Sequence, residues 1–222
     1  MTKRSVSAFQ AAFLIAAFSI QASAQPPAKE AASELKGLPP RAAPADYQAQ
    51  VKAGDFTIAA EFVGHSVPTG SRIFSTDEYV AVEVALYGPA ESKLKLSIED
   101  FSIRINAKKN PSPREPYDLV FKNLKDPEWE PPVKQEGKSK TSFGSGGGGG
   151  GGGDKPPPPK MSNPERRAME QLVQKASLVE GERAMPQAGL IFFQHRGKVT
   201  GIQSIELIYS GAAGKATLNL QP

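Results

Sequence analysis

The sequence predicts an all-β fold: an antiparallel β-sandwich with one inserted α-helix and one disordered Gly/Pro-rich loop. Three observations predict it. Apolar residues alternate at the strand period through most of the chain beyond residue 55. Only one stretch, after Ser162, repeats at the helical three-and-four spacing. Glycine and proline, 21 and 20 of 222 residues, gather at turn positions and in a single long interruption.

The chain begins with a basic start, Lys3-Arg4, followed by an apolar run from Ala8 to Ile20 and the small-residue step Ala22-Ser23-Ala24. These are the three parts of a secretory signal, so residues 1–24 are expected to be a signal peptide cleaved after Ala24. The apolar run, about 13 residues, is short of the ~20 that span a bilayer. No later stretch is apolar enough to cross one, so an exported chain, periplasmic or secreted, is expected. Residues 25–53 are rich in Ala and Pro and poor in large apolar groups. They read as a disordered tether, because little burial is available to offset the entropy of ordering.

Order is expected from Phe56, within a domain at 54–222. Phe56, Ile58, Ala60 and Phe62 share one strand face, and a polar loop with Pro68 and Gly70 follows. Val80, Val82, Val84 and Leu86 form the clearest strand, ended by Gly88-Pro89. Leu94, Leu96 and Ile98, then Phe101, Ile103 and Ile105, alternate with polar neighbours. One polar face per strand marks antiparallel pairing. A short strand is expected around Tyr117 to Phe121, after the Pro111-Ser112-Pro113 turn.

The pattern then stops, and a flexible insert is expected at 123–161, with eight glycines from Gly146 to Gly153 and four prolines from Pro156 to Pro159. The glycine run lacks the Gly-Lys-Ser/Thr ending and the flanking strand and helix of a phosphate loop. A helix is expected at 163–179. Either Asn163 caps it, or Ser162 and Glu165 form a reciprocal box; Met169, Leu172, Val173 and Ala176 make its apolar stripe. Leu190-Ile191-Phe192-Phe193 is apolar on both sides and is expected to sit centrally in a sheet. Ile205, Leu207 and Tyr209 form the next strand, and the glycine-bearing hairpin Ser210 to Gly214 leads to the last, at Ala216, Leu218 and Leu220.

The motifs Gly181-Glu182, Gly189-Leu190-Ile191-Phe192-Phe193 and Leu207-Ile208-Tyr209, with the earlier strands at Val80–Leu86 and Phe101–Ile105, resemble the immunoglobulin-like (telokin-like) accessory domains of exported bacterial proteins. The resemblance covers about residues 56–122 and 162–220. It implies an immunoglobulin-like sandwich acting as an interaction module, and it supplies no catalytic residues. The long insert and the lack of a lipidation cysteine depart from that pattern.

Chemistry-bearing residues are sparse. There is no cysteine, which excludes thiol catalysis, thiolate metal sites and a disulfide framework. The formal charge of +4 includes Lys3 and Arg4, and the remaining excess is too small for nucleic-acid binding. The two histidines, His65 and His195, lie 130 positions apart without the close spacing of a metal pair. No nucleophile elbow surrounds any serine. The acids Asp77-Glu78 and Glu99-Asp100 read as solvated turn residues. Hence no catalytic, cofactor-binding or metal residue is assigned, and no enzyme is expected. The expected function is that of an exported module binding a protein or cell-envelope component, with Trp129 and Arg104 as candidate partner-binding residues. The alternatives are a small hydrolase or metal-dependent enzyme built on loop residues such as His65 and Asp77, and a carrier that offers an edge strand to clients.

Overall fold

The computed structural model describes residues 36–130 and 161–222. The signal segment, the first part of the expected tether and the glycine and proline runs lie outside the described residues. In chain order the first strands are β1 (Ala49–Ala53), β2 (Phe56–Gly64), β3 (Ser66–Pro68), β4 (Ile73–Thr76), β5 (Tyr79–Tyr87), β6 (Lys93–Leu96), β7 (Phe101–Ile105) and β8 (Ser112–Pro113). Helix α1 (Tyr117–Val120), strand β9 (Leu124–Lys125) and helix α2 (Asn163–Ala176) come next. The chain then forms β10 (Gly181–Ala184), β11 (Gln187–Gln194), β12 (Ile205–Gly211) and β13 (Gly214–Leu220).

The described chain is all-β in character, with antiparallel sheets and few helices. One sheet has the order β1-β2-β5-β11 and another β13-β12-β7-β8. Two smaller sheets pair β10 with β6 and order β3-β4-β9. The alternation dictates how the large sheets bury themselves. Ile58, Phe62, Val82, Val84 and Phe193 from the first sheet share one buried cluster with Ile103, Leu207, Tyr209 and Leu218 from the second. Each large side chain withdrawn from water there contributes about 1.5–3 kcal/mol. Leu94 and Leu96 of β6 enter the same cluster; Ile98 instead opens a short 3₁₀ turn, Ile98–Asp100, capped by Ser97.

The first sheet is also covered on its other face, where Ala81, Leu190 and Phe192 pack with Met169, Val173 and Ala176 of α2. This corrects the central position expected for β11, which is the end strand of its sheet. Its two apolar faces come from a helix on one side and the main core on the other. Its outer edge is met by three separate single-residue bridges: Leu38 to Ala188, Ser177 to Leu190 and Glu115 to Phe192.

Four further expectations are corrected. The tether was expected to reach residue 53, but β1 pairs with β2 from Ala49↔Ala60 to Ala53↔Phe56. The few apolar groups of that segment, Leu38, Tyr47 and Val51, find cover on the neighbouring sheet rather than in a core of their own. The short strand expected near Tyr117 is α1, continued by the 3₁₀ turn Phe121–Asn123. Pro116 stands at its N-cap, and Tyr117, Val120 and Phe121 meet the α2 cluster at helical spacing. The insert was expected from residue 123, but β9 pairs with β4 and Arg72 binds the Asp126 carboxylate at 3.0 Å. Helix α2 ends at Ala176 rather than residue 179, because Leu178 donates its N–H to Leu190 O at 2.9 Å, as an extended segment must. At its start the Ser162–Glu165 box is the register adopted, with Ser162 N–H on Glu165 Oε2 at 3.0 Å.

Candidate functional site

The two histidines meet. Strand β2 kinks where its register with β5 shifts between Phe62 and Gly64, and Gly64 has φ +65°, so the chain turns out of the ladder at His65. His195 follows β11, on the other side of β5, and its N–H donates to Glu78 O at 2.8 Å. The rings stack with centroids 6.1 Å apart and planes at 27°. His65 Nδ1 lies 2.7 Å from Tyr79 O and Nε2 lies 2.8 Å from Gly197 O. Both ring nitrogens thus lie within hydrogen-bond distance of a backbone carbonyl oxygen. His195 Nε2 is enclosed without a hydrogen-bond partner among the described residues.

The acids nearby are also engaged: Asp77 pairs with Lys125, and Glu78 with Arg196 at 3.2 Å. Among the described residues, no three His, Cys, Asp or Glu side chains form a group able to hold a metal ion.

Burial, then the neighbouring His65 and then Lys108, hold His195 below the ordinary imidazole value. Charging it therefore disfavours the folded state. Its contribution to stability is complete above about pH 6.5 and is lost as the pH falls below that value. The charged and titratable groups near it are His65 after β2, Lys108 after β7, Glu78, whose carbonyl accepts its N–H, and Arg196 beside it in sequence, while Asp77 lines the recess next to His65. We expect His195→Phe to remove part of the acid-side loss, read as a smaller drop in urea midpoint between about pH 7.5 and about pH 5. An unchanged drop contradicts this.

Of the two candidate partner-binding residues, Arg104 lies on a strand and Trp129 in the segment after β9. Arg104 on β7 stands opposite Glu206 on β12 and forms an ion pair with it, each side chain about one-third exposed. It is a cross-strand pair of opposite charge. Trp129 is half-buried; its backbone N–H reaches Asp126 O at 3.2 Å. Its indole lies beside Glu165 and, after the two contacts from Ser162, helps hold that carboxyl below its usual range.

Two polar groupings were not legible in the sequence. Glu61 and Glu83 face each other directly across β2 and β5. Arg41, from the segment whose composition reads as a tether, bridges them with Nη1 on Glu61 at 2.5 Å and Nη2 on Glu83 at 2.9 Å. Its guanidinium lies 4.3 Å from the centre of the Tyr47 ring, and Tyr87 donates its hydroxyl to Arg41 O at 2.7 Å. Burial works against the Arg41 charge, but the two glutamates outweigh it and raise its affinity for the proton. The sequence signal was one acid on each of two strands, next on the same face to the small residues Ala59 and Ala85.

The second grouping surrounds the β11 edge. A recess of about 390 Å³ is lined by Gly37, Leu38, Pro40, Pro186 and Ala188. Another, of about 330 Å³, is lined by Tyr117, Gln174, Leu178, Glu180 and Arg183. Buried Arg114 stands close behind the second, since its Nη2 donates to Leu178 O at 3.0 Å. Compared with known proteins, the chain matches no family model, no curated protein and no solved structure.

Proposed function

We propose that this chain is an exported, non-catalytic interaction module of immunoglobulin-like (telokin-like) sandwich type, binding a protein of the cell envelope. The observation that carries the reading is the composite edge of β11. Three segments distant in sequence each touch it at one residue, and a recess lies beside two of them. An edge covered in this piecemeal way offers concave, partly apolar surface where a continuous strand would leave a flat ladder. Extended partner segments are recognised at such edges by main-chain bonds plus pockets for alternate side chains. The bonding of His65 supports the same reading, because a hydrolase built on it would first have to free the ring from two carbonyls. The basic start and small-residue exit of the leader support export.

Site-specific photocrosslinking in cells producing the full chain tests the proposal. A discrete partner is expected from probes at Lys36 and Arg183, which border the two recesses, and not from Lys215 on β13. Absence of any adduct at the first two positions overturns it.

A further inference from the structure

Consecutive residues after β8 bond to different sheets: Arg114 N–H to Phe101 O at 3.3 Å and Glu115 N–H to Phe192 O at 2.8 Å. The Arg114 side chain is thereby drawn inward, and only 3% of it is exposed. Its Nη2 is bonded to Leu178 O, but Nε and Nη1 have no hydrogen-bond partner among the described residues. Among the described residues, the carboxylate that approaches it is that of Glu180, 3.9 Å from Nη1 and half exposed. That is too long for a hydrogen bond, so a buried cation is held with loose compensation. Burial lowers the Arg114 pKa, with Glu180 and then Asp100 opposing the shift. A guanidinium nevertheless stays charged in proteins.

Leu178, which accepts from the Arg114 guanidinium, and Glu180, whose carboxylate stands 3.9 Å from it, both line the 330 Å³ recess. The guanidinium thus sits directly behind its wall, at a place where the chain itself supplies a carboxylate on a half-exposed side chain. Arg183 and the Tyr117 hydroxyl, which accepts from Gln174 Nε2 at 3.0 Å, stand at the same recess. Leu178, Val179 and the Tyr117 ring give it an apolar side.

We infer that this recess binds a carboxylate attached to a small apolar group, with the ligand displacing Glu180 and pairing with the buried, unpartnered Nη1 of Arg114 behind it. The chemistry is that of a peptide C-terminus or of a free small acid. The inference rests on reading the β11 surroundings as a binding surface, and it names the ligand chemistry of one recess. Charge-assisted bonds to a desolvated arginine are strong enough to discriminate an acid from its amide.

The test is a titration of the full chain followed by NMR at the Arg114 side-chain N–H and the Gln174 amide, with N-acetyl-leucine and N-acetyl-leucinamide as probes. The acid is expected to shift both signals and the amide neither. Acetate alone and an acetylated tripeptide acid ending in leucine separate the two sources: a tighter tripeptide indicates a chain terminus, equal affinities a small acid. Arg114 variants disturb a buried contact, so the decisive variant is Glu180→Gln, at a half-exposed position. Removing the resident competitor is expected to tighten N-acetyl-leucine binding about tenfold. Equal shifts from acid and amide, or no gain in Glu180→Gln, overturn the carboxylate inference, whereas crosslinks at Lys36 and Arg183 would still support the partner surface.

Discussion

Gly189→Ala is expected to lower unfolding free energy by about 3 kcal/mol, read as a fall in denaturant midpoint at unchanged slope. The cause is space rather than backbone torsion. A Cβ at 189 would lie 2.4 Å from Leu178 N, 2.5 Å from Leu178 Cα and 2.8 Å from Ser177 C. All three are backbone atoms, so relief requires the segment after α2 to withdraw from β11. Withdrawal breaks the bond from Leu178 N–H to Leu190 O and strains the one from Arg114 to Leu178 O. Each such bond is worth about 1 kcal/mol net, and more where a buried charge loses its acceptor. Gly201→Ala is the control, since none of the described residues has an atom within 4 Å of the Cβ it would add. If both substitutions cost the same, the close approach of Leu178 to β11 is not what stabilises this region.

Arg41→Met is expected to cost about 2 kcal/mol, between the range of exposed pairs and that of buried ones. Glu83 is 11% exposed and Glu61 35%, and they stand directly opposite on adjacent strands. Without the guanidinium, two like charges face each other over a surface covered by Tyr47 and Tyr87. The sign can be checked within one cycle. Glu83→Gln should destabilise the native chain, which loses an ion pair, but stabilise the Arg41→Met chain, which loses a repulsion. The same effect in both backgrounds would show that Arg41 does not bridge the two carboxylates.

The sequence discloses faces more readily than neighbours. Val80, Val82, Val84 and Leu86 alternate strictly, and each of them enters the main core. The same holds for Phe101, Ile103 and Ile105 and for Ile205, Leu207 and Tyr209. Leu190 to Phe193 announces burial on both faces, but a run of that kind does not say whether a strand or a helix provides the second cover. Here α2 provides it, and the strand ends its sheet. Composition misleads most where a few apolar groups are diluted by prolines. Arg41, Tyr47 and Val51 look like tether until β2 and β5 exist to receive them. Their partners Glu61 and Glu83 lie 20 and 42 residues from Arg41, beyond any local pattern.

The candidate site was hidden for the same reason. His65 and His195 become neighbours because β2 and β11 flank β5 and bring their ends to one side of the sheet. Spacing along the chain carries no trace of that. Arg114 looks like one of several basic residues in a loop, and only the alternation of its backbone bonds between two sheets drives its side chain inward.

The most direct measurement is the photocrosslinking yield at three positions in the same cells. Lys36 and Arg183 beside the β11 edge should each give the same discrete adduct, at several times the yield from Lys215 on the far strand β13. Equal yields at all three positions, or adducts from Lys215 alone, would contradict the account.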